Sequence, residues 1–305
     1  MGVTDADWIA FLSARPDLSE VNFWRPGDTR TFRVISVGEP FLFKAHHPEN
    51  RVVGGGFFSG FAVLRISEAW QLFGEANGVP SLAEMRARVG HYRKAGLAPG
   101  DDPPIGCVFV RDAVFFPPGD SPPAPVDFAP EIVQGKSYEL ASAGRYFPDL
   151  VDRLIGHHVE LDAAEPWTRP GPVFGDPRLA PYRLGQRSFQ AVVLNAYGGR
   201  CSVTGDKIRP VLQAAHIRPV TRGGEHRLDN ALLLRSDIHT LFDRGYVGVD
   251  SRRRLHVSPA LRAEFGNGDA LYRRAGELVT VPPRRLDQPN TQFLEWHMDE
   301  VFRAS

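Results

Sequence analysis

Residues 210–243 read PVLQAAHIRPVTRGGEHRLDNALLLRSDIHTLFD. Three histidines, a glycine pair and an asparagine fall within this stretch, in a chain whose only cysteines are Cys107 and Cys201. With no C-x-x-C anywhere, a disulfide scaffold and a four-cysteine zinc module are both excluded. VLQAAHI reads as a strand ending on His216, preceded by strand-like CSVTG and a turn at DKIRP. After the glycine-containing loop, LLLRSDIHTLFDRG places Leu234, Ile238, Leu241 and Phe242 on one helical stripe, with His239 and Asp243 together at its edge. Upstream, GQRSFQAVVLNAYGGRC spaces Phe189, Val192, Val193 and Ala196 as a helix that stops at Gly198-Gly199.

Two strands, a loop and a helix, carrying AAHI, N-x-L-L-L and DIHTLFD in that order, resemble the ββα-metal arrangement of HNH endonucleases. The resemblance covers residues 184 to about 250 and, more weakly, the tail through PNTQFLEWHMDEVF. Its specific part is a double spacing: fourteen residues from His216 to Asn230 and nine from Asn230 to His239. A single histidine in AAHI would otherwise read as a hydrogen-bonded residue at a strand end.

The resemblance implies metal-dependent phosphodiester cleavage leaving a 5′-phosphate and a 3′-hydroxyl. Neutral imidazole suits the base that deprotonates water, a role that falls to His216. His239 is expected to hold a divalent cation, Mg²⁺ or Mn²⁺ with Co²⁺ or Ni²⁺ as alternatives, and Asn230 to tie the loop so that the His216 ring faces the phosphate. Many relatives carry Asp or His just before the base, where this chain has Ala215. Asp243, one helical turn beyond His239, is the first choice for the replacing ligand and Asp237 the second; a solvent-facing acid is the plain alternative for Asp243. Thr204 stands where some relatives place a zinc-binding cysteine, so no structural zinc is expected. His226 is expected to be a solvated loop residue. Arg218, Arg222, Arg235 and Arg244 are the candidate phosphate contacts, while the run Arg252, Arg253, Arg254 fits a solvated face or a phosphate clamp equally.

Charge divides the chain. Residues 1–175 hold 16 Lys/Arg against 22 Asp/Glu, a balance of −6, and residues 176–305 hold 20 against 14, a balance of +6. A basic half carrying a reactive site suits a polyanion. The Pro/Gly-rich stretch 163–185, with five prolines, interrupts any period. The expected domains are therefore 1–165, a linker at 166–183, and 184–305.

In the first half, RTFRVISVGEPFLFKAHHPENRVVGGGFFSGFAVLRI reads as consecutive strands. SEAWQLFGEANG reads as a helix from N-cap Ser67 to Gly78, SLAEMRARVGHYRK as a helix entered at Ser81, and IGCVFVRDAVFF and IVQGKSYEL as strands. The order of strand, G-x-x-F-x-F, polar turn and V-V-G-G-G looks like the PUA-like superfamily of small barrels, which includes the EVE, SRA and YTH readers of modified bases. The expected class is α+β, a β-rich PUA-like barrel with short helices followed by a ββα-metal nuclease domain. A base reader needs aromatic walls around a flipped nucleotide. Trp24, Phe43, Phe57 and Phe58 are candidates, with His46 and Lys44 at the edge; core packing is the competing reading for each aromatic.

Together these features imply modification-dependent (type IV) restriction of double-stranded DNA with modified cytosine. The alternatives are a nuclease gated by a small nucleotide and an inactive DNA reader. One ββα site cuts one strand, so a homodimer is expected. The N-terminal stretch lacks signal-peptide character and no long apolar run follows, so a cytoplasmic protein without a membrane partner is expected.

Overall fold

A computed structural model describes residues 1–27, 35–93, 96–129, 131–132, 134–139, 144–162 and 186–304, apart from the side chains of 157–162 and 186. The chain divides into two compact units, Met1–Pro181 and Tyr182–Ser305. The expected linker lies wholly outside the described residues, as does most of the strand expected around residue 30.

The first unit runs β1 (Gly2–Thr4), α1 (Ala6–Ser13), β2 (Glu20–Arg25), β3 (Pro40–Ala45), β4 (Val52–Arg65), α2 (Ile66–Phe73), α3 (Leu82–Tyr92), β5 (Pro104–Phe115) and α4 (Tyr146–Asp162). Five strands form one sheet in the order β1-β3-β4-β5-β2, with β1 parallel to β3 and every other pair antiparallel. Register shifts at Gly55/Phe57 and Phe58/Gly60 curl the long β4–β5 pair, because each bulge bends its strand and increases local twist. Gly56, within the first shift, permits this close approach: any Cβ there would collide with the Arg111 carbonyl. Among the described residues the expected barrel is thus a curled mixed sheet with β1 and β2 at its edges.

Alternation on β3 explains how both faces are covered. Phe41 and Phe43 enter a cluster with Phe23 and Phe58, into which α1 inserts Trp8 and Leu12. Leu42, between them, packs with Val52, Val114 and the α4 residues Phe147, Leu150 and Leu154. The helix expected from Ser67 to Gly78 begins after Arg65, runs to Phe73 and continues as a 3-10 turn over Gly74–Asn77, which Gly78 closes in the left-handed region at φ +76°; Ser67 is not its cap and bonds Asp102 through both its N–H and its hydroxyl, at 2.9 and 2.6 Å. Ser81 does cap α3, accepting from the Glu84 N–H. The strand expected at 132–140 is reduced, among its described residues, to one bridge between Gly135 and Gly2.

The second unit runs α5 (Gln186–Ala196), β6 (Leu212–His216), β7 (Ala231–Arg235), α6 (Ser236–Asp243), β8 (Val247–Val249), β9 (Leu255–Val257), α7 (Pro259–Phe265), α8 (Asp269–Tyr272) and α9 (Thr291–Glu300). The two strands of the ββα element are β6 and β7, paired antiparallel with His216 opposite Ala231. CSVTG is a turn rather than a strand; it is closed by Gly205 N–H to Cys201 and by Thr204 to Asp206. Residues 232–234, expected to begin the helix, belong to β7 and are all buried, as in a strand covered on both faces. Behind α6, His297 of α9 stacks on Phe242 at 3.7 Å and donates from Nε2 to its carbonyl at 3.0 Å.

Candidate active site

His216 closes β6, and its ring lies flat on Phe189 of α5, 4.3 Å between centroids and 11° from parallel. Gln190, next on α5, clamps the strand by donating to the Leu212 carbonyl and accepting from the Ala214 N–H. Partial burial, and secondly the neighbouring His226 and His239, push the His216 pKa down to about 4. The ring is therefore neutral near pH 7, as a base must be.

Asn230 is fully buried at the end of the loop that begins after His216. Its Oδ1 accepts from the Arg218 N–H at 2.9 Å, while Nδ2 donates to the carbonyls of Arg218 and Glu225, both at 2.9 Å. The Ile217 N–H returns to the Asn230 carbonyl at 3.0 Å. One amide thus satisfies three backbone groups of the loop, which carboxylate or aliphatic side chains could not do.

His239 sits on α6, and its Nδ1 is 2.8 Å from Gln213 Oε1 on β6. A neutral ring donating there leaves the Nε2 lone pair for a cation. Nε2 lies 3.4 Å from the Asp243 carboxylate. Two donors each about 2.1 Å from one ion stand roughly 3 to 3.5 Å apart, so the pair fits a shared divalent ion, with oxygens from water and phosphate completing the shell. Among the described residues no group of three or more His, Cys, Asp or Glu side chains has metal-binding geometry. Asp237 is engaged elsewhere: Arg235 grips both its oxygens at 3.1 and 2.7 Å and also reaches Asp206 at 2.8 Å.

Those same pairs commit Arg235, one of the four arginines expected at phosphate. Arg222 and Arg244 are exposed and unpaired among the described residues, whereas Arg218 lies over the Trp296 ring and bonds the Arg222 carbonyl. Arg254 bonds the Gly276 carbonyl, in a turn held by Asp250.

Two residues of this site escaped the sequence. His226 is half-buried rather than solvated, its Nδ1 3.0 Å from Nε2 of His216. Gln213 was signalled only as the one polar residue inside an apolar strand. Loop geometry that no spacing encodes brings His226 in.

The first unit holds a separate cavity of about 420 Å³ whose lining includes Trp24, Tyr92, His46, Asp5 and Gln134. Trp24 is pinned by its indole N–H, which donates to the Asn77 carbonyl at 2.9 Å. Of the other pocket candidates, Phe43 and Phe58 are core residues, and Phe57 lies under the Arg111 guanidinium. Lys44 is buried against the Phe128 ring. None of these four side chains lines the cavity.

Residues 201–250, which span the β6–β7–α6 element, match the HNH endonuclease family. No curated protein matches the chain. Among solved structures, a chain described as modification dependent TagI restriction endonuclease is similar at 23% identity and a TM-score of 0.31, over 41% of this chain and 40% of that one.

Proposed function

We propose that the protein is a metal-dependent DNA endonuclease whose base is His216. The observation that carries this reading is a neutral imidazole seated on Phe189, at the end of a strand whose Gln213 orients a second imidazole beside a carboxylate. Within the HNH match, that arrangement supports hydrolysis of a phosphodiester. His216 takes a proton from water as the water oxygen bonds phosphorus and the bond to the 3′ oxygen breaks. Asn230 holds the loop that aims the ring. A divalent cation, held by His239 Nε2 and the Asp243 carboxylate, supplies neutralisation of charge on the phosphoryl group when bound. Arg222 and Arg244 contact flanking phosphates.

The first unit, PUA-like by its sequence resemblance, acts as a sensor of a modified base, cytosine in the reading that resemblance favours. Trp24 and His46 are the residues of that reading which border a cavity large enough for a nucleobase.

The test is cleavage of unmodified, cytosine-methylated and hydroxymethylated plasmids in Mg²⁺ or Mn²⁺. Strand scission that EDTA and His216→Ala both abolish, and that is faster on modified plasmid, supports the whole reading. Scission by His216→Ala at the wild-type rate sinks the assignment of the base. Equal rates on all plasmids sink the sensor, and cutting only after a free nucleotide is added reassigns the cavity to that nucleotide.

A further inference from the structure

His226 has no part in the reaction as set out above, yet it makes the closest polar contact to the base. Its Nδ1 lies 3.0 Å from Nε2 of His216, and the rings are inclined by 59°. Two neutral imidazoles can hold such a contact only with one proton between them, one nitrogen donating and the other accepting. Were His226 the donor, His216 would carry its own proton on Nδ1 and commit the Nε2 lone pair to the bond, leaving no basic nitrogen. With His216 donating from Nε2, its Nδ1 lone pair is open, and among the described residues no hydrogen-bond partner occupies Nδ1.

We propose that His226 is a positioning residue: its Nδ1 accepts the Nε2–H of His216 and so selects the tautomer whose Nδ1 takes the proton from water. The direction of the bond and its catalytic consequence rest on the nuclease reading; the 3.0 Å contact itself does not.

The loop is built to hold this contact. Asn230 donates to the Glu225 carbonyl, immediately before His226, and Phe189 touches both imidazoles, at 4.3 Å from His216 and 5.3 Å from His226. Gly224 lets the chain double back, since a Cβ there would collide with the Arg218 carbonyl. Once Nδ1 has taken the proton, the positive ring still donates from Nε2 to His226. With His226 neutral the bond becomes charge-assisted and favours the charged base, opposite to the repulsion a protonated His226 exerts. The proton comes from the attacking water and no further reactant is needed.

Two variants test this in the full chain. His226→Phe keeps the ring and removes the acceptor; His226→Asn places a carbonyl oxygen close to the position of Nδ1. The Phe variant is expected to lose roughly 10- to 100-fold in kcat, by analogy with partners that orient metal-ligating histidines, with KM for DNA within about twofold. The Asn variant is expected to restore kcat to within about fivefold of wild type. Nitrogen-15 spectra at pH 7, with the His216 signals identified by their loss in His216→Ala, should show the proton on Nε2 in wild type and in the Asn variant, and a mixture of tautomers in the Phe variant. Wild-type kcat in the Phe variant, equal losses in both variants, or a proton on Nδ1 of wild-type His216 would each overturn the proposal. Should the Phe variant fail to fold, the Asn variant decides alone, by keeping or losing both rate and Nε2–H signal. A wild-type protein that cuts no DNA defeats the nuclease reading, and the spectra still decide the hydrogen bond.

Discussion

At the scale of single residues, His216 exchanges basicity for availability. A pKa of about 4 keeps the lone pair free throughout the neutral range but gives a weaker base than an exposed imidazole near 6.5. A bound phosphodiester brings negative charge, which favours the protonated ring and raises its pKa. A base acts only when unprotonated, so activity is lost as pH falls through its pKa. In saturating metal, the acid limb of kcat/KM, which reports the free enzyme, should therefore lie at lower pH than the acid limb of kcat, which reports the complex. Coincident limbs in rate profiles from pH 4 to 8 would contradict this. Asn230 makes a sharper case, because its amide donates two bonds and accepts one while fully buried. Asn230→Asp would aim a carboxylate oxygen at two carbonyls. It is expected to destabilise the protein more than Asn230→Ala, which itself costs about 1–3 kcal/mol through unpaired backbone groups, as urea titration would measure.

The ββα element shows what sequence could and could not reveal. The placement of His216 at a strand end, Asn230 ahead of the helix and His239 on it was legible from their spacing along the chain. The strand β7 was not, since ALLL fits a buried strand and the start of an apolar helical stripe alike. Nor was His226, whose approach depends on how residues 217–229 fold back over themselves. In the first unit the same limit separated Trp24, which borders a cavity, from Phe43 and Phe58, which fill the core. The fold-back of the loop depends on Gly224, where the Arg218 carbonyl leaves no room for a methyl group. Gly224→Ala should displace the loop as a unit, lowering both the melting temperature and kcat; wild-type values for both would show that the loop yields elsewhere.

Across the whole molecule, opposite charge balances of −6 and +6 assign broad attraction for a polyanion to the second half of the chain. Not every arginine there is available. Arg222→Ala and Arg244→Ala are each expected to reduce the slope of log Kd against log salt by about one, the signature of a lost phosphate contact. Arg235→Ala should leave that slope unchanged and lower stability instead, because its guanidinium already ties Asp206 to Asp237. Binding isotherms between about 50 and 200 mM salt distinguish the two outcomes. For the first unit, Trp24→Ala should bring the cleavage rates on modified and unmodified plasmid together, and an undiminished ratio would remove Trp24 from recognition.

The Asn77 carbonyl receives the indole N–H of Trp8 at 3.1 Å as well as that of Trp24 at 2.9 Å. Two of the five tryptophans, Trp8 of the aromatic core and Trp24, therefore share a single acceptor, and both border the cavity. A guest that displaces one indole therefore changes the hydrogen bonding available to the other. A guest molecule that tilts the outer indole should also shift the fluorescence of the inner one, so the unmodified chain carries its own optical gauge of occupancy.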